Sequence, residues 1–105
     1  MDNNQHTQAA QTIDMIREVW VLRHEANLQI AAHFVELASA KESLNALLEE
    51  TETSERVAYL QVAKEAWSAS IVAHELSIEA FRGDLEEYDF QIEALLGIQH
   101  ADFIN

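Results

Sequence analysis

The second half of the chain carries apolar residues at alternating steps of three and four, and this heptad pattern constrains the fold more than any other feature. One heptad position is occupied by Val57, Lys64, Ile71, Ile78, Leu85 and Ile92. The other is occupied by Leu60, Trp67, His74, Phe81, Tyr88 and Leu95. Successive heptads of this kind predict a helix that packs along another helix as in a coiled coil, with Lys64 and His74 as polar interruptions.

The first half of the chain predicts a second long helix with two apolar faces. Its main stripe advances by about 3.7 residues per step, as in a straight α-helix, and consists of Met15, Val19, Leu22, Ala26, Ile30, Phe34, Leu37, Leu44 and Leu48. A second set lies about 100–150° further round the helix and consists of Ile13, Ile16, Trp20, Ala31, Val35 and Ala38. Two apolar faces need two neighbours, so we expect a homodimeric four-helix bundle, or a compact bundle if the helices break.

The composition agrees with helices alone, because the chain has no proline and two glycines in 105 residues, which leaves few residues for β-turns. We therefore expect an all-α fold, a long antiparallel helical hairpin that assembles as a helical bundle. A chain of this length forms a single domain over 1–105. The expected segments are a frayed N-terminus over 1–8, a first helix over 9–50, a bend over 51–55, a second helix over 56–96 and a tail over 97–105.

The two glycines bear on the course of the second helix. Gly97 is a plausible residue to end it, with Ile98 as the apolar contact that follows. The residues directly after Gly83 match a helix-capping box, which would end the second helix at Gly83 and start a third short helix there. The heptad pattern continues through Gly83 with Phe81 and Leu85, which favours a continuous or kinked helix.

The charge balance excludes several partners. Nineteen acidic residues stand against six Lys and Arg, a net charge of −13, so direct binding to duplex nucleic acid or to an anionic membrane is not expected. The negative electrostatic field of such a protein favours encounter with a basic protein surface. The sequence has neither a signal-peptide pattern at its start nor an apolar run of the roughly 20 residues that cross a bilayer, so the default expectation is a cytoplasmic protein.

Catalytic signatures are missing from the sequence. Without cysteine there is no thiolate nucleophile and no Cys-based metal site. No glycine-rich phosphate loop and no nucleophile elbow accompanies the serines. We expect no enzymatic activity, no catalytic residue and no cofactor.

Histidine beside carboxylate is the one grouping that suggests metal chemistry. A bend centred near residue 52 would place His33 and His74 about one helical turn apart inside the bundle. Glu36 is expected to project about 60° away from His33, and no Glu-x-x-His motif is present. We interpret the histidines as a polar pair that bond each other or a water and fix the register, with no metal bound.

The acidic residues form two ridges. The ridge on the second helix, with Phe90 and Trp20 as apolar anchors outside the main stripes, gives the predicted partner-binding residues Glu75, Glu79, Glu86, Glu87, Glu93, Phe90 and Trp20. The ridge on the first helix gives a second choice, Asp14, Glu18, Glu25 and Glu36. Any helix exposed to water carries charge, but these ridges hold few bases, although a face built for solubility usually mixes signs.

These features favour a non-enzymatic acidic module that binds a basic, nucleic-acid-binding surface of a partner protein, as an inhibitor or nucleic-acid decoy of the phage anti-defence type. Its charge density, about one per 4.6 Å against about one per 1.7 Å for duplex DNA, would imitate one strand or a short patch. An alternative is a structural or chaperone-like bundle that works through its apolar seam. A third is a metal-binding four-helix bundle that uses His33 and His74.

Overall fold

The computed structural model describes the backbone of residues 2–50 and 56–104 and the side chains of residues 7–50 and 56–98. It contains two α-helices, α1 (Asp2–Glu49) and α2 (Val57–Ile104), and no strand within those ranges. The predicted all-α hairpin is therefore confirmed. The residues expected to form the bend, 51–55, lie outside the described part of the chain.

The chain divides into two compact units, and each unit contains one stretch of each helix. The terminal unit comprises Met1–Leu28 and Phe81–Asn105, and the central unit comprises Gln29–Ala80. In each unit the stretch of α1 packs against an antiparallel stretch of α2. The organisation as a single domain stays a prediction.

The contact face of α1 follows a heptad pattern that the sequence interpretation missed. Its a positions are Ala9, Ile16, Arg23, Ile30, Leu37 and Leu44, and its d positions are Thr12, Val19, Ala26, His33, Ala40 and Leu47; all are buried or half-buried. We call these residues the α1 seam. A step of 3.5 residues keeps a side-chain row in contact with a neighbouring helix, whereas a straight-helix row drifts away from it.

The predicted main stripe of α1 is therefore wrong in part. Val19, Ala26 and Leu37 are buried as expected. Four large members of that stripe are exposed, namely Met15, Leu22, Phe34 and Leu48. Their exposure leaves more apolar surface on α1 than the sequence suggested.

The predicted seam of α2 is largely confirmed. Leu60, Ile78 and Ile92 are buried, and most other members are half-buried, including Lys64 and His74. A lysine tolerates such a position because its aliphatic stem can lie along apolar neighbours while the ammonium stays in water. Val57 and Trp67 are exposed instead.

Both helices extend further than predicted. α1 begins at Asp2, where the sequence suggested a frayed stretch over 1–8, because polar residues without proline or glycine do not by themselves prevent a helix. α2 runs through Gly83 and Gly97 to Ile104, so neither a third helix after Gly83 nor a tail over 97–105 forms. No glycine has a positive φ, the backbone conformation that would have ended the helix.

Neither helix, over its described residues, contains a stretch that is long and apolar enough to cross a membrane.

The continuity of α2 can be tested with Gly83→Ala. A Cβ added at Gly83 would meet no atom within 4 Å, so alanine should raise the free energy of unfolding by about 0.5–1 kcal/mol through its higher helix propensity. Urea denaturation monitored by circular dichroism measures this change. Gly97→Ala, equally open, is the matched control near the helix end, and a loss of stability in Gly83→Ala would indicate a break in the helix.

Candidate functional site

A pair of histidines bridges the two helices inside the central unit. His33 and His74 occupy d positions of the α1 seam and of α2, and their Nδ1 atoms lie 2.9 Å apart in a hydrogen bond. The ring centroids are 5.2 Å apart with an interplanar angle of 51°, so the two rings are in direct contact across the seam. One Nδ1 donates and the other accepts, so at least one ring carries no proton on Nδ1.

Glu36 joins this pair, contrary to the expectation that it projects away. Its Oε2 lies 3.4 Å from Nε2 of His74. The helical angle of a residue places its Cβ, but the rotatable bonds of glutamate carry the carboxylate back across the edge of the seam. His74 thus has a histidine on one ring nitrogen and a carboxylate beside the other.

These three side chains make up what we call the histidine cluster. Each offers one possible ligand atom, and these atoms lie within 4.8 Å of one another. His33 and His74 are half-buried, and the Glu36 side chain is 62% exposed, so the cluster is shielded on the seam side and open to water at its carboxylate.

A second polar arrangement lies in the terminal unit. Nε of Arg23, an a position of the α1 seam, donates a hydrogen bond of 2.7 Å to Oδ1 of Asp89. Cζ of the same guanidinium lies 5.3 Å from the centroid of the Trp20 ring, which is a cation–π geometry. Trp20, predicted as a partner-binding anchor, therefore has a neighbour within its own chain, although it stays 51% exposed.

The predicted partner-binding residues of α2 lie at the surface. The exposed set is Glu75, Glu79, Glu86, Glu87, Glu93 and Phe90, and Phe90 is 68% exposed. Glu87 accepts a hydrogen bond of 3.1 Å from Nε2 of Gln91 one turn on. A structure of the free chain does not test whether these residues bind a partner.

The ridge predicted on α1 is also exposed, at Asp14, Glu18, Glu25 and Glu36. Oδ1 of Asp14 lies 3.8 Å from Nη1 of Arg17 in an exposed ion pair. Such a pair contributes little to stability. Glu36 differs from the others because it belongs to the histidine cluster.

The sequence interpretation missed an exposed stripe of apolar and small residues on the face of α2 opposite its seam. These residues occupy the c and f heptad positions, and we call them the outer stripe. In the central unit they are Tyr59, Val62, Ala66, Ala69, Ala73, Leu76 and Ala80, all exposed. In the terminal unit they are Gly83, Phe90, Ala94 and Gly97, with Glu87 at the remaining position. Spacing at steps of three and four was the available signal, but alanine and glycine weigh little in a search for large apolar residues.

Comparison of the chain with protein-family models, with curated proteins and with solved structures finds no match.

A double-mutant cycle tests the histidine contact. His33→Ala, His74→Ala and the double variant should show a coupling free energy of about 0.5–1.5 kcal/mol, because each single change leaves a half-buried ring without its partner. Urea denaturation at neutral pH measures it. The control cycle pairs His74→Ala with His24→Ala, an exposed histidine of α1, and should be additive; coupling of equal size in both cycles would contradict a direct contact.

Proposed function

We propose that this protein is a non-enzymatic acidic interaction module that binds a basic surface of a partner protein, in the manner of an inhibitor or a nucleic-acid decoy. One observation supports this most: on α2, exposed carboxylates lie in a row along one side of the outer stripe. The combination offers a partner apolar contact and charge on the same face of the helix.

The acidic residues beside the outer stripe occupy two heptad positions on the same side of it. Position b, next to the outer stripe on one side, holds Glu65 and Glu79 in the central unit and Glu86 and Glu93 in the terminal unit. Position e, which lies beyond b towards the seam, holds Glu75 in the central unit and Asp89 in the terminal unit. Of the two, Asp89 has Arg23 as an ion-pair partner.

The chemistry of this face defines the partner surface that it fits. Apolar side chains such as Leu76 and Phe90 act as anchors when a partner removes them from water. Carboxylates at the rim select lysine and arginine on the opposite side and accelerate encounter. A protein surface that normally binds a nucleic-acid strand is rich in lysine and arginine, so it has the charge that this face would attract. Because the charge density of the chain is lower than that of duplex DNA, the chain would imitate a single strand or a short patch of nucleic acid.

A homodimer is part of this proposal, because α1 exposes large apolar side chains on its outward face. Val35 in the central unit is 71% exposed. In the terminal unit Trp20, Val21 and Leu28 are each more than half exposed. The other large members of the second apolar set, Ile13 and Ile16, are half-buried, and Ile16 belongs to the α1 seam.

The dimer can be tested with a matched pair of variants. Val35→Asp should yield a helical monomer, because it places a charge on the apolar face that the second copy is proposed to cover. Val62→Asp changes a valine of similar exposure, 65%, on the outer stripe of α2, and should stay dimeric. Light scattering at micromolar concentration reads out the mass, and a wild-type chain that is monomeric there would refute the dimer.

Charge reversal tests the partner surface. Glu79→Lys, Glu86→Lys and Glu93→Lys together should abolish binding to the basic protein that affinity capture recovers, because attraction becomes repulsion at exposed positions. Helicity and melting temperature should change little, and wild-type binding should weaken steeply between 0.05 and 0.5 M salt as screening shortens to a few ångströms.

The control carries the same change of charge elsewhere. Asp14→Lys, Glu18→Lys and Glu25→Lys together alter the α1 ridge and should reduce binding less. Equal loss in both triple variants would mean that net charge alone governs binding. Wild-type affinity in the α2 variant at low salt would remove the acidic face of α2 from recognition.

A second candidate function is a structural or chaperone-like bundle that works through apolar surface. The observation that favours it is the number of large apolar side chains on the surface, of which Val35, Phe90 and Val62 are the most exposed. Capture of an apolar helix that withstands 0.5 M salt, and that survives the α2 charge reversal, would favour this function over the first.

A further inference from the structure

We propose that the histidine cluster binds a divalent transition-metal ion of the Zn²⁺ type through His33, Glu36 and His74. Imidazole nitrogen and carboxylate oxygen are ligands that such ions prefer. The sequence interpretation set a metal aside because Glu36 was expected to point elsewhere. In the structure the Glu36 carboxylate lies 3.4 Å from Nε2 of His74, and the three side chains each offer a ligand atom within 4.8 Å of the others.

The ligand spacing suits an ion held by both helices. His33 and Glu36 are three residues apart on α1, so they project from one face of that helix. His74 comes from α2, opposite them within the central unit. An ion at this point would join the two helices across their seam.

The distance between the histidine nitrogens is already close to that of a coordination sphere. For metal–nitrogen bonds of about 2.0–2.1 Å, two ligand nitrogens lie about 2.9 Å apart at a right angle and about 3.4 Å apart at a tetrahedral angle. The two Nδ1 atoms are 2.9 Å apart. Insertion of the ion therefore needs the two Nδ1 atoms to move apart by up to about half an ångström. The ring that holds the shared proton on Nδ1 must carry it on Nε2 instead, so that both Nδ1 lone pairs face the ion.

The exposure of the cluster fits a site with water among its ligands. Three protein ligands leave at least one position of a four-coordinate ion open, and the exposed side of the cluster lies at the Glu36 carboxylate. In the structure that carboxylate lies 3.4 Å from Nε2 of His74, so it must turn towards the Nδ1 atoms to complete the coordination, a movement that its exposure allows.

The site is independent of the proposed partner surface on α2. The residues of the α2 charge reversal lie outside the histidine cluster, so failure of partner binding would leave the metal proposal standing. The converse also holds, because the partner proposal uses no metal.

The test titrates the metal-free full-length chain with Zn²⁺ by calorimetry and with Co²⁺ by visible absorption. We expect one ion per chain, a Co²⁺ spectrum of bound imidazole, and a melting temperature that rises with metal concentration, because the ion binds the folded hairpin in preference to the unfolded chain. His33→Gln and His74→Gln should each weaken Zn²⁺ binding at least about tenfold.

Two further variants keep the test decisive. Glu36→Gln alters an exposed side chain and should leave the fold intact, so reduced affinity in this variant cannot be ascribed to unfolding. His24→Gln removes an exposed histidine of α1 that is adjacent to Glu25 and should bind Zn²⁺ as wild type does.

Three results would overturn the proposal. The first is an absence of stoichiometric binding by wild-type chain at micromolar Zn²⁺. The second is equal affinity in wild type, His33→Gln, His74→Gln and Glu36→Gln, which would place the ion on other acidic or histidine side chains. The third is half an ion per chain, which would assign the site to a contact between copies.

Discussion

The seam between α1 and α2 is the interaction on which the rest of the structure depends. A helix that packs against one neighbour buries one stripe of side chains. Among residues 7–50 and 56–98 few large side chains are buried, and Leu60 is the most completely enclosed of them. Burial of apolar surface is the main favourable term in folding, so a chain with so narrow an interior has limited stability from this source. The apolar residues that the seam does not use remain at the surface, where a second copy or a partner can cover them.

The sequence predicted one side of this seam well and the other side in part. α2 places large apolar and aromatic residues at its a and d positions, so the pattern is visible without a structure. α1 places Thr12, Arg23, His33 and several alanines there, and these residues resemble a polar or neutral face. Larger apolar residues next to the seam, such as Met15 and Leu22, instead suggested an apolar stripe with the period of a straight α-helix. The position of the Glu36 carboxylate could not be predicted from the sequence either. Sequence periodicity predicts the direction in which a side chain leaves the helix, but not where the end of a long side chain lies.

The acidic residues of α2 affect how readily its exposed outer stripe can associate with other molecules. Alanine and glycine allow another helix to approach closely at little cost in side-chain entropy, but such a surface also invites unspecific association. Carboxylates beside it repel other acidic chains. A net charge of −13 therefore opposes association of the exposed apolar face with further copies or with other acidic chains.

The histidine pair raises a different question, because a pair of apolar residues at the same positions would give a seam of equal or greater stability. Replacement of partly buried polar pairs by well-packed apolar residues is often neutral or stabilising. Stability therefore does not account for His33 and His74. Two other roles remain for a polar pair at matching depth on two helices: it specifies the register, because a shifted pairing leaves a ring nitrogen unsatisfied, or it holds a ligand. Register alone needs no third group, whereas the Glu36 carboxylate beside Nε2 of His74 completes a set of donors that a metal ion uses.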